Sequence, residues 1–366
     1  MPLYLSEDQI MLRDTARDFM SREAPVAHFR KYRDMGCKDG FAHALWKQFA
    51  EMGFTGIIVD DADGGLGLGH VEAGIVMEEI GRNLTPSPFL LSAVIAVEAL
   101  KGAGDEVRTR WLPGIVAGEA VAALATDEGA KHRSFEVAMA ADRSGNGYRL
   151  TGKKRFVVQA ASADVIFVSA RTEDGIALFA VERGADGLTV DPVRLVDGSM
   201  GAHLRFDGVQ ADAPIGDEQA LRRVLRAGRL GASSELVGVG SAAADMTVRY
   251  LKERKQFGRL IGEYQALQHR QAHLYTELEI ARAATLKAQQ LLDEGSVDAA
   301  AMTHVAKAKA GRASTLAVQE GVQMYAGVGM TDEYDIGLYL KRDRALNELF
   351  GDANYHTERL ARLNGY

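Results

Sequence analysis

The densest grouping of chemically useful side chains is the run Arg249-Tyr250-Leu251-Lys252-Glu253-Arg254-Lys255-Gln256-Phe257-Gly258-Arg259-Leu260-Ile261-Gly262. Its cations fall where a helix ends, and cations there complement the helix dipole. As a binding corner, Arg254 can grip a phosphate through its planar fork and Phe257 can stack on a planar ring. As plain structure, the same residues make a solvated helix end followed by a turn; the residues alone leave both readings open. A second corner is Gln323-Met324-Tyr325-Ala326-Gly327-Val328-Gly329-Met330-Thr331. Glycine just past a helix lets a ligand approach the backbone, and the Gln323 amide both donates and accepts. A glycine helix cap with a loop accounts for that segment equally well.

Three other groupings carry less. Ile57-Ile58-Val59 followed by Gly64-Gly65-Leu66-Gly67-Leu68-Gly69 lacks the G-x-G-x-x-G spacing of a dinucleotide loop, and Asp60, Asp61 and Asp63 crowd the place of a pyrophosphate. His269 and His273 share a helix face, but Arg270 stands where a zinc protease needs Glu, so no metal site is expected. No G-x-S-x-G elbow is present, and Cys37 has no neighbouring base, which removes nucleophilic hydrolysis.

The elements that must position the two corners follow from proline placement and periodicity. No proline follows Pro214, so the remainder is free of the strongest helix breaker. Leu221 to Leu251 and Gln265 to Leu292 read as long helices, the second with Leu267, Leu274, Leu278, Ala281 and Ala284 on one stripe. Between 121 and 210 short apolar runs (Phe156-Val157-Val158, Val165 to Val168, Ile176 to Val181) alternate with turn signals at Ser144-Gly145-Asn146-Gly147, Glu173-Asp174-Gly175 and Ala185-Asp186-Gly187. That pattern predicts an antiparallel β-barrel or sandwich without βαβ crossovers. The first 120 residues are helical, opening with Ser6 and Gln9 as a capping box. The expected fold class is α+β: an N-terminal helical domain (1–120), a β-domain (121–214) and a C-terminal four-helix bundle domain (215–366).

Composition narrows the partners. The 366 residues are 47% hydrophobic and 25% charged, the values of a packed globular chain. A net charge of -7 leaves no overall basic surface for nucleic acid or an anionic membrane. One cysteine excludes an internal disulfide, and no signal peptide or spanning segment is visible, so a cytoplasmic location is expected.

The two corners in this order, with Gly64-Gly65-Leu66-Gly67, Met77-Glu78-Glu79-Ile80-Gly81, Leu150-Thr151-Gly152-Lys153-Lys154-Arg155-Phe156 and Tyr264-Gln265-Ala266, resemble the acyl-CoA dehydrogenase family over nearly the whole chain. The resemblance implies FAD as cofactor, an acyl-CoA thioester as substrate, an electron-transfer flavoprotein or similar acceptor, and a homo- or hetero-tetramer. It implies a role in fatty acid or sterol side-chain degradation. By position, Arg254 and Phe257 contact the pyrophosphate and adenine side of FAD, Gln265 the adenosine end, and Gln323 with Gly327 the pyrophosphate. Some of these reach across to a neighbouring subunit. Phe156 matches the aromatic residue against the isoalloxazine ring, and Thr126 opens the cofactor-contacting segment.

The sequence also departs from the family. Its T-E-x-G-x-G-S-D segment is Thr126-Asp127-Glu128-Gly129-Ala130-Lys131-His132-Arg133 here, and a usual hydroxyl partner of the flavin is Val158. Removing the α-proton of a thioester needs a carboxylate, yet the two family positions for it fall on Gly351 and Gly228. Two alternatives follow: Asp352 serves as the base, or the chain is the base-free subunit of an α2β2 dehydrogenase whose partner supplies the Glu.

Overall fold

The computed structural model describes residues 3–366. In chain order the helices of the first part are α1 (Glu7–Glu23), α2 (Val26–Asp34), α3 (His43–Glu51) and α4 (His70–Asn83), then a π-helical turn (Leu90–Ala96) running into α5 (Val97–Leu100), and α6 (Asp105–Val116). The strands are β1 (Ala122–Ala125), β2 (Ala140–Ser144), β3 (Gly147–Val158), β4 (Val165–Thr172), β5 (Gly175–Glu182), β6 (Leu188–Arg194), β7 (Met200–Ala211) and β8 (Gly216–Asp217). There follow α7 (Glu218–Glu253), a hairpin of β9 (Lys255–Gln256) and β10 (Arg259–Leu260), α8 (Gln265–Asp293), α9 (Ala299–Tyr325), α10 (Ile336–Glu348) and α11 (Ala353–Leu363). The helix, β, helix order is the expected one. No helix among the described residues is long and apolar enough to cross a membrane.

The chain divides into two units. One comprises Arg30–Gly69 and Pro86–Gly228. Its sheet runs β6-β7-β3-β2-β4-β5-β8, with β1 beside β4. The predicted antiparallel pattern holds along this path except where β4 meets β1 and one residue of β2 in parallel. Periodicity within a strand carries no information on partner direction, and β1 reaches β4 without an intervening helix crossover. Runs such as Ala122 to Ala125 and Val165 to Ala170 are buried at every successive residue, so both faces of these strands are covered. In the helical part of this unit Trp46, Phe54 and Phe89 surround Phe49 with centroid distances of 5.6, 5.8 and 6.2 Å.

The other unit comprises Met1–Phe29, His70–Thr85 and Arg229–Tyr366. The Ser6 capping box forms as expected: its hydroxyl accepts from the Gln9 backbone while the Gln9 side chain accepts from Ser6 N–H. Leu236, Val237, Leu274, Leu278, Ala281, Ala313, Ala317 and Val318 build the core between α7, α8 and α9. Small residues bring helices close. A Cβ at Gly238 would lie 2.0 Å from Glu78 O, and one at Gly81 2.2 Å from Glu235 O, so α4 and α7 approach backbone to backbone.

Candidate functional site

At the end of α7, Arg254 N–H donates to Tyr250 O at 2.9 Å, and Arg254 O accepts from Ile261 N–H at 2.9 Å. These two bonds set the direction in which the hairpin leaves the helix. Gln256 pairs with Arg259 across a two-residue turn in which Phe257 (φ 52°) and Gly258 (φ 82°) are both left-handed. That is the primed turn favoured by strand twist, normally filled by Asn-Gly because a bulky residue at positive φ is strained. The ring held there is 91% exposed. Arg254 is exposed and makes no ion pair among the described residues.

The second corner lies at the same end of the helical unit. Tyr325 stacks on Tyr250 with 4.1 Å between ring centroids and 13° between planes. Gln271, in the second turn of α8, donates to Met324 Sδ at 3.1 Å, which brings the Gln265 end of α8 alongside the end of α9. Ala326, with φ 56°, reverses the chain after α9. A Cβ at the next residue, Gly327, would meet nothing within 4 Å, and Gln323 is exposed. Thus Arg254, Phe257, Gln265, Gln323 and Gly327 gather at one end of this unit.

Asp352 does not join them. The turn before Asp352 is held against α9 at Lys307, sixteen residues before Gln323, or about 24 Å along the helix at 1.5 Å per residue. Asp352 is the N-cap of α11, its carboxylate accepting from Tyr355 N–H at 2.8 Å. Gly351 before it has φ 107°, and a Cβ there would lie 2.4 Å from Tyr355 Cδ1. Phe350 is also left-handed, with φ 60°. Two buried cations hold this strained turn. Lys307 Nζ donates to Gly351 O at 3.0 Å, Leu346 O at 3.0 Å and Asn347 O at 3.3 Å. Arg229 Nε donates to Phe350 O at 3.4 Å. Burial pulls the Lys307 ammonium down to about 7, and burial pushes the nearby Asp343 carboxyl up to about 6. Three carbonyl acceptors match the three donors of an ammonium, which favours the charged lysine. Beside them the Nδ1 atoms of His304 and His356 stand 2.8 Å apart, so one ring donates and the other accepts.

The remaining two candidates belong to the β-containing unit. Phe156 sits at a register shift between β3 and β7, with φ 52° and 47% exposure. Its N–H donates to His203 Nδ1 at 3.3 Å, and its ring meets that imidazole edge-on at 4.7 Å. An extra residue in one strand turns this side chain outward. Thr126 is buried beyond β1. Its carbonyl accepts from Lys154 Nζ at 3.1 Å, and the same ammonium reaches Glu128 at 2.9 Å and Ser169 Oγ at 3.1 Å. Asp127 accepts from His132 Nδ1 at 2.9 Å and from Arg133 N–H at 2.7 Å. The segment lacking the usual serine is therefore ordered by its own carboxylates.

The sequence reading did not single out Lys154, Arg229 or Lys307. A signal existed for two of them. Lys154 shares the inward strand parity of Tyr148 and Leu150, and Lys307 lies on the stripe of Thr303, Ala310 and Ser314. His269 and His273 are exposed on α8.

Three family profiles cover the chain: Acyl-CoA dehydrogenase, N-terminal domain over 6–119, middle domain over 122–209 and C-terminal domain over 216–363. Acyl-CoA dehydrogenase FadE12 of Mycobacterium tuberculosis is 32% identical over 335 residues, 86% of this chain and 85% of that one. The chain belongs to the acyl-CoA dehydrogenase family. It is an oxidoreductase of the acyl-CoA dehydrogenase type. Among solved structures, the Tcur3481-Tcur3483 steroid ACAD superposes with a TM-score of 0.92 at 29% identity, covering 98% of both chains. The ChsE4-ChsE5 complex from Mycobacterium tuberculosis gives 0.93 at 24% identity with full coverage of both, a likeness of fold. The acyl-CoA dehydrogenase fold thus accounts for the helical, β and helical order.

Proposed function

We propose that this chain forms part of a FAD-dependent dehydrogenase that oxidises an acyl-CoA thioester between its α- and β-carbons, with the proton-abstracting carboxylate supplied by a second kind of chain. The observation that carries the second clause is the Gly351 turn. At the position where the family commonly has its Glu, the backbone is left-handed and the Tyr355 ring fills the space of a Cβ. The turn is built around glycine rather than being a glutamate site that lost its side chain. The likeness to the Tcur3481-Tcur3483 steroid ACAD, itself named for two proteins, supports this arrangement and points to a bulky acyl group such as a sterol side chain.

The residues present fit FAD. Arg254 has a guanidinium unpaired among the described residues for a diphosphate, Phe257 an exposed ring for a stacked base, and Gly327 a backbone that a phosphate can approach. The chemistry that FAD would supply, if bound there, is that of an acceptor for the hydride leaving the β-carbon. Phe156 is the residue to lie against the ring system, and the outward bulge holds it ready for that contact. Gln265 and Gln323 orient polar edges of the cofactor through amides that donate and accept. The distance along α9 between Gln323 and the Gly351 turn supports corners that act across to a neighbouring subunit in a tetramer. The partner expected for reoxidation would be an electron-transfer flavoprotein or similar acceptor.

A second reading keeps Asp352 as the base, favoured by its carboxylate lying one residue from the family position. The two readings part in one experiment. The chain is purified alone and co-expressed with a glutamate-bearing family member, and flavin absorbance is followed on addition of short, branched and steroid acyl-CoA thioesters. The expected result is no bleaching by the lone chain and bleaching by the co-expressed assembly, with Asp352→Asn changing the assembly's rate less than about threefold. Bleaching by the lone chain that Asp352→Asn abolishes overturns the proposal in favour of Asp352. Arg254→Ala is expected to lower retained flavin by at least about tenfold, the order of one lost charge-assisted contact.

A further inference from the structure

The first turns of α7 border a cavity of about 770 Å³ that also reaches the β4–β5 turn. Three arginines line it: Arg222, Arg223 and Arg226. The carboxylates on its wall are already engaged. Glu218 accepts from Arg222 Nε at 3.0 Å, Asp217 accepts from Ala220 N–H at 3.0 Å, and Asp174 lies 3.8 Å from Arg143. Arg222 further covers the Phe135 ring at 4.3 Å.

Of the other two arginines, one has a carboxylate beside it and one has none. Arg223 is 3.6 Å from Glu98, a carboxylate shared with Lys101 at 2.6 Å, yet its Nε is buried and makes no hydrogen bond. Arg226 is half-buried with no ion pair or hydrogen bond to its side chain among the described residues. Burial alone depresses its guanidinium below the ordinary arginine range, with no counter-charge restoring it. A partly desolvated cation without a counter-ion is costly in a folded protein, and a bound anion relieves that cost.

We infer that this cavity is a binding site for a phosphate group, held by Arg226 and flanked by Arg222 and Arg223. Arginine forks match the geometry of phosphate oxygens, and the site needs no metal to balance its charge. The phosphate reaches it either as a free anion or as part of a larger ligand such as coenzyme A. The inference does not depend on the dehydrogenase reading, because phosphate binding is measured without turnover.

The test is calorimetric titration of the full chain with inorganic phosphate at constant ionic strength, repeated with Arg226→Gln and Arg226→Lys. Arg226 makes no hydrogen bond or ion pair among the described residues, so neither variant breaks a polar contact, and far-UV circular dichroism checks the fold. Saturable binding by the parent is expected, weakened at least about tenfold by Arg226→Gln and less by Arg226→Lys, which keeps the charge but not the fork. Coenzyme A and its 3′-dephospho form are titrated in parallel. Tighter binding of coenzyme A that Arg226→Gln removes assigns the phosphate to the 3′ position, and coenzyme A binding indifferent to Arg226 leaves the free anion as ligand. No saturable phosphate binding by the parent, or equal binding by Arg226→Gln, overturns the site.

Discussion

Replacing Gly351 by alanine is expected to destabilise the protein by about 3 kcal/mol. One part is backbone strain, about 1–3 kcal/mol for a non-glycine residue at φ 107°. Another is overpacking of about 1–3 kcal/mol, because the new Cβ meets Tyr355 Cδ1 at 2.4 Å and His356 Nε2 at 3.1 Å. Tyr355→Ala in the same chain should recover the overpacking part and leave the strain, a coupling that a double-mutant cycle in urea measures directly. Gly351→Glu should behave like the alanine variant or worse and restore no proton abstraction by itself. A Gly351→Ala protein as stable as the parent would show that the turn tolerates a side chain, and the argument for a base supplied in trans would lose its footing.

The second large effect concerns Lys307. Lys307→Met removes three hydrogen bonds at once and leaves the carbonyls of Leu346, Asn347 and Gly351 buried without that donor. A loss of about 3 kcal/mol is expected from unsatisfied acceptors of this kind. The pH dependence gives a separate signature. The folded-state pKa, pulled down to about 7 by burial, lies below that of an unfolded lysine, so between them the native state binds fewer protons than the unfolded chain. Stability contributed by this group therefore rises with pH above about 7 and is flat below it. Lys307→Met lacks that rise. The gap in unfolding free energy between parent and variant should widen from pH 7 to pH 9, and a gap that narrows would contradict a depressed lysine.

How much of this was legible in the sequence depends on the kind of signal. The Ser6 capping box, the helices over Gln265 to Leu292 and Leu221 to Leu251, and the strands around Val165 and Ile176 were carried by local periodicity and turn residues, and local signals survive folding. The parallel contact of β1 with β4 was not, because strand direction is decided by which edges meet in three dimensions. Proximity of the Gln323 and Arg254 corners was carried only by the family resemblance, since they lie on different helices joined through the Tyr250 and Tyr325 rings. The buried cations show the sharper limit. Lys154 and Lys307 sit at inward-facing positions of their elements, but lysine at such a position reads as an error in the pattern until the carbonyls that receive it are placed by the fold.

The turn that carries Phe257 also bears on how free copies of the chain behave. Asparagine there would adopt the left-handed backbone at little cost, so phenylalanine makes every isolated hairpin less content than its own sequence frame allows. The turn fixes the ring before anything covers it, and little ordering entropy is lost at the moment of contact. Whatever buries the ring, a cofactor or another chain, then stabilises the folded protein in proportion to its concentration.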